Sequence, residues 1–124
     1  MGLREYLRGA RSRPFRYGHW DCALFAAGWV QRVTGRDLLP GRYASLREGR
    51  ALLAAAGYGD HVEAVAAALP AVEGGVAMAQ AGDLAALGPS LGIVVGERIA
   101  FLGRHGLEYA PLLSADRAFM VRAH

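Results

Sequence analysis

The hydrophobic pattern of this chain changes period near Val76, and that change sets the order of its elements. Before it, apolar residues recur at helical spacing between cap and stop signals; after it, short β-prone runs lie between glycines. Leu3–Ser12 places Leu3, Tyr6 and Leu7 on one helical face, and Pro14 stops the helix. Asp21 is an N-cap for a helix over Cys22–Thr34, with Gly35 as its C-terminal stop. Within it Cys22, Phe25, Ala26, Trp29, Val30 and Val33 follow the i, i+3, i+4, i+7 rule, so Cys22 shares the buried stripe. Leu38–Ala44, with Pro40-Gly41, reads as a loop. Ser45-Leu46-Arg47-Glu48 is a capping box that predicts a helix to Ala56, and Asp60-His61-Val62-Glu63 repeats the arrangement for a helix to Leu69, ended by Pro70.

The strand-like runs are Asp83–Leu87, Leu91–Val95, Arg98–Leu102, Leu107–Leu112 and Ala118–Arg122. Gly96-Glu97 fits a two-residue hairpin turn, and Arg104-His105-Gly106 a three-residue one. Connections this short join only antiparallel strands. The expected fold class is therefore α+β, N-terminal helices packed on a small antiparallel β-sheet, in a single domain over residues 1–124.

Several function classes drop out on composition. The longest apolar runs, Ala64–Leu69 and Leu91–Val95, are far shorter than a membrane span, so no membrane span is expected. Met1-Gly2-Leu3-Arg4-Glu5-Tyr6 lacks the apolar core of a signal peptide, which implies cytoplasmic synthesis. One cysteine excludes an internal disulfide, and no Cys/His group has zinc spacing; neither a metal nor a cofactor is expected. All 14 basic residues are Arg. Ten of them, against four acids, fall in residues 1–50, whereas residues 51–124 hold four against seven. A basic N-terminal half suits a solvated surface, an acidic partner or a polyanionic cell wall; without stacking aromatics or a helix-turn-helix pattern, nucleic acid is not expected.

The residue with chemistry to offer is Cys22. It falls in the first turn of a helix, where free backbone N–H groups and the macrodipole favour an anion and lower a thiol's pKa. The aromatic cluster around it, Phe15, Tyr17, Trp20, Phe25 and Trp29, reads first as core and second as the lining of a cleft.

Tyr17-Gly18-x-x-Asp21-Cys22-x-x-Phe25, followed by Gly82-Asp83-Leu84 and Leu91-Gly92-Ile93-Val94-Val95-Gly96, resembles the NlpC-type cell-wall peptidases, papain-like cysteine hydrolases that cut the peptide stems of peptidoglycan. The likeness runs from Phe15 to Val121 and is strongest to a short branch found among phage tail genes. It implies Cys22 as nucleophile, Asp21 as the residue beside it that caps the helix, and Tyr17 on the oxyanion side. It also implies a histidine base entering the Leu-Gly-Ile strand, where this chain has Ser90. The third polar position falls in the wholly apolar Ile99-Ala100-Phe101-Leu102. Serine cannot take a proton from a thiol near neutral pH, so His19 and His105 become the candidates for a substitute base; His61 reads as a residue of an outer helix, and His124 as terminal.

With two of three catalytic positions lost, the resemblance implies a phage or prophage tail-tip or baseplate protein, located in the virion tail after synthesis in the host cytoplasm. Its expected partners are other tail proteins and peptidoglycan. A structural or assembly module is favoured; the alternative is an active cysteine endopeptidase or amidase cleaving stem peptides during genome entry. Two further classes stand beside it: a cysteine hydrolase or acyltransferase for another amide, with His19 or His105 as base, and a nucleic-acid-associated factor using the Arg-rich half.

Overall fold

A computed structural model of the chain describes residues 2–39 and 42–122; the Pro40-Gly41 part of the expected loop and His124 lie outside them. Four helices come first: α1 (Leu3–Ser12), α2 (Cys22–Thr34), α3 (Leu46–Ala55) and α4 (His61–Ala68). Five strands follow: β1 (Leu84–Leu87), β2 (Ser90–Val94), β3 (Arg98–Gly103), β4 (Gly106–Pro111) and β5 (Arg117–Phe119). They form one antiparallel sheet in the order β4-β3-β2-β1-β5, an α+β fold with helices ahead of the sheet. No helix among the described residues is long and apolar enough to cross a membrane.

The caps act as their residue types require. Asp21 accepts the Leu24 N–H at 2.9 Å, Ser45 that of Glu48 at 3.2 Å, and Asp60 that of Glu63 at 2.9 Å. Glu48 reaches back to the Ala44 N–H at 2.7 Å, and Glu63 to that of Gly59, so each return bond goes to the residue before the cap, one position outside the usual capping box.

Strand residues alternate between two cores, as the pleat demands. Leu84, Ala86, Leu91, Ile93, Ala100, Leu102 and Phe119 face the helices and pack with Tyr6, Trp20, Phe25, Trp29, Val30, Val62 and Val65. Ala85, Val94 and Ile99 face the opposite way onto Leu112, and Val76, Ala79 and Ala115 from the connecting turns cover them. Tyr6 ties α1 to α2: its hydroxyl donates to the Phe25 carbonyl at 2.6 Å, and burial pushes that hydroxyl up to about 12, so it remains a donor.

Beyond one-residue shifts at several element ends, two details of the sheet differ from the sequence expectation. Gly103 pairs with Gly106, so the β3–β4 connection is the two-residue Arg104-His105 turn and Gly106 belongs to β4. The last strand stops at Phe119 rather than at Arg122. Beyond it the Met120 N–H donates to the Pro70 carbonyl at 2.8 Å and the Val121 N–H to Asp83 Oδ1 at 3.1 Å, so these donors leave the β1 ladder.

Asp83 is fully buried and also accepts the Gln80 N–H at 2.9 Å and Arg122 Nη2 at 3.0 Å. It therefore clamps the C-terminal segment to the start of β1. Asp83→Ala leaves the Gln80 and Val121 donors without an acceptor and should destabilise the fold by about 3 kcal/mol in urea unfolding. A loss under about 1 kcal/mol would mean that the clamp is dispensable.

Candidate active site

The site begins with one carboxylate. Asp21 is buried, and its two oxygens accept three hydrogen bonds: Oδ1 from the Leu24 N–H at 2.9 Å, Oδ2 from the Gly18 N–H at 3.0 Å and from the Tyr43 hydroxyl at 2.6 Å. The three donors belong to α2, the loop before it and the segment before α3, so one side chain locks three pieces of chain. Gly18 is required in that lock. Its φ is +81°, and a Cβ there would lie 1.9 Å from the Tyr43 carbonyl oxygen.

Asp21 thereby fixes the start of α2, and Cys22 is the first helical residue. The thiol is half-buried, and its Sγ lies 3.9 Å from Nε2 of His61, within hydrogen-bond reach for sulfur. His61 is likewise the first residue of its helix, α4. Two helix starts thus bring a thiol and an imidazole together, 39 residues apart in the chain.

The tip of the β1–β2 hairpin completes the pair. The Leu91 backbone hydrogen-bonds the thiol, and the Pro89 backbone hydrogen-bonds the imidazole. With Nε2 facing the thiol, action as a base there requires the neutral ring to carry its proton on Nδ1. Burial pushes the Cys22 thiol up; the Leu91 hydrogen bond opposes this and the Asp21 charge adds to it. Burial pushes the His61 imidazole down, against the Asp60 charge, the Pro89 hydrogen bond and the Asp21 charge. Both shifts favour uncharged partners, a thiol facing a neutral imidazole rather than a resting ion pair.

Cys22 opens onto a cleft of about 320 Å³. The β2–β3 ladder runs no further than Ile93↔Ala100, although β3 stays paired with β4 as far as Gly103↔Gly106. The β3–β4 hairpin therefore parts from β2 beyond that point. Leu87 and Ser90 line one side of the cleft; Phe101, Leu102, Glu108 and Tyr109 line the other. Gly92 lets the strands close just before they part, since a Cβ there would lie 2.6 Å from the Ala100 carbonyl oxygen.

The imidazole that approaches the thiol is neither of the two expected from the sequence. His19 and His105 are both exposed, and the ring that reaches Cys22 is that of His61. His105 does return to the Ser90 end of the sheet, because β2 and β3 are antiparallel, but its turn carries it outside the cleft lining. Ser90 lines the same cleft as Cys22. Tyr17 packs edge-on against Phe15 with ring centres 5.0 Å apart and takes no part in the cleft lining. The phenol coupled to the site is that of Tyr43, raised far above its ordinary value by burial, the Asp21 hydrogen bond and the Asp21 and Cys22 charges. Trp20, Phe25 and Trp29 are core, and Phe15 and Tyr17 are half-buried beside them.

Sequence reasoning had one usable signal for His61. It precedes Ala64 and Val65 by three and four residues, and both are buried, so His61 is on the inward face of α4. Tyr43 carried no such signal, because it lies in irregular chain.

Comparison with known proteins places the chain in one family. A family described as a domain of unknown function, DUF6950, matches residues 2–121, and the protein belongs to it. No curated protein and no solved structure matches the chain significantly.

The direction of the thiol shift has a direct readout. Alkylation of Cys22 by iodoacetamide should be slower at pH 7 than that of free cysteine, and its rate should climb to a midpoint above the ordinary value of about 8.5. A raised pKa means less thiolate at any pH below it, hence the sign. A midpoint below pH 7 would indicate a preformed thiolate–imidazolium pair instead.

Proposed function

We propose that this DUF6950 protein is a thiol-dependent hydrolase of amide bonds, in which Cys22 is the nucleophile and His61 the general base. The observation that carries the reading is the 3.9 Å approach of His61 Nε2 to Cys22 Sγ at the mouth of an open cleft. As the sulfur attacks a carbonyl carbon, Nε2 takes the thiol proton; the resulting imidazolium then protonates the leaving amine, and water releases the acyl group. The Pro89 hydrogen bond and the Asp21 and Asp60 charges stabilise the imidazolium while it exists. The negative oxygen that forms on the carbonyl has donors at hand. Asp21 caps the Leu24 N–H and leaves those of Cys22 and Ala23 at the start of α2 without intrahelical partners.

The likeness to NlpC-type peptidases supplies the substrate class, peptide stems of peptidoglycan, and the setting, a phage tail acting at the cell wall. In this reading the base has moved. Its family position on β2 is Ser90, and His61 arrives from α4 against the backbone of the same hairpin tip, Pro89 to Leu91. The loss of the family's histidine at Ser90 and of its third polar position in Ile99–Leu102 favours the second reading, a tail assembly module that keeps the scaffold without the reaction.

Incubation of the purified protein with muropeptides separates the two. Stem cleavage is expected, abolished in Cys22→Ala and reduced roughly 10²–10⁴-fold in His61→Ala, the range for loss of a general base. His19→Ala and His105→Ala should retain it. Absence of cleavage by the unmodified protein, or cleavage indifferent to His61→Ala, would contradict the assignment and return the chain to the assembly reading.

A further inference from the structure

We propose that the cleft selects substrates bearing a cationic group, an ammonium above all, and that Glu108 is the residue that reads it. The proposal rests on Cys22 being the reacting atom of the function proposed above. It concerns what occupies the cleft rather than whether hydrolysis follows.

Glu108 stands opposite Phe101 in the β3–β4 ladder, on the hairpin that parts from β2 to open the cleft. It is the one acid in a lining otherwise made of Cys22, apolar side chains, glycine, a serine and Tyr109. Its carboxylate lies across the main chain of Gly103, where an added Cβ would sit 3.0 and 3.1 Å from the two oxygens. Glycine at that position leaves room for the carboxylate to rest there. The group is also unclaimed. The chain has 14 arginines, yet among the described residues the ion pairs are Arg42–Asp37 and Arg122–Asp83. Three arginines lie on or near this hairpin, and each is placed against a tyrosine instead: Arg11 Nη2 donates to the Tyr109 hydroxyl at 2.9 Å, the Arg98 guanidinium stacks 5.2 Å from the Tyr109 ring centre, and that of Arg104 lies 6.0 Å from the Tyr17 ring centre.

Most acids of the chain stand outside those two ion pairs, and Glu108 is set apart from them by its place in the cleft lining. With the thiol uncharged, the cleft presents apolar walls and one negative charge. Its complement is an apolar ligand body carrying one positive charge, placed so that the reacting carbonyl meets Cys22.

The test uses Cys22 as its own reporter, since it is the single cysteine of the chain. Two reagents of similar size, 2-aminoethyl methanethiosulfonate and 2-sulfonatoethyl methanethiosulfonate, differ in the sign of their charge. Each forms a mixed disulfide with the thiolate and releases methanesulfinate, and mass spectrometry follows both rates. The ammonium reagent should react faster relative to the sulfonate on the unmodified protein than on Glu108→Gln, where the ratio should fall roughly five- to tenfold, as for one unit charge several ångströms away in a partly screened site. Glu108→Lys should lower it further. Glu97→Gln removes the same charge from the exposed turn at the other end of β3 and should leave the ratio unchanged. A ratio indifferent to Glu108, or shifted equally by Glu97→Gln, would overturn the proposal. So would a Cys22 that neither reagent reaches, because the cleft would then not admit a ligand. Charge selection with no muropeptide cleavage would uphold Glu108 while defeating the hydrolase assignment, so the two failures are distinguishable.

Discussion

The geometry of this protein hangs on the buried carboxylate of Asp21. Removing an anion from water is tolerable only where donors replace the water, and here three do: two backbone N–H groups and the Tyr43 hydroxyl. Because those donors come from three segments, satisfying one charge also settles how the loop before α2, α2 itself and the segment before α3 meet. Cys22 inherits its position from this lock. The same charge acts on the chemistry, since it helps keep the adjacent thiol protonated and favours the imidazolium form of His61.

The pair is assembled from pieces that are individually ordinary. A cysteine at one helix start, a histidine at another and a hairpin tip whose backbone bonds to both make a site that no single segment contains. The thiol therefore meets an imidazole carried by a different helix, not by its own loop or by a strand. The hairpin tip, Pro89 to Leu91, is the element that the two groups share.

Local signals made the fold legible. Asp21, Ser45 and Asp60 each announce a helix start, and glycines bound the short strands, so the α+β order and most element limits follow from neighbours a few residues apart. The end of β5 was not legible, because Asp83 captures Val121 and Arg122 from 38 and 39 residues away. The site was only half legible for the same reason. Cys22 and Asp21 are defined by the local cap, but His61 and Tyr43 reach them through tertiary packing. Proximity along the chain pointed to His19, and hairpin position to His105; both turned out to be exposed.

The central claim is that His61 stands as a neutral base with Nε2 bare toward Cys22, and ¹⁵N NMR of the histidine rings across a pH titration tests it most directly. The account predicts a His61 midpoint below the ordinary 6.5, with the neutral ring carrying its proton on Nδ1. A midpoint at or above 6.5, or a neutral ring protonated on Nε2, would contradict it.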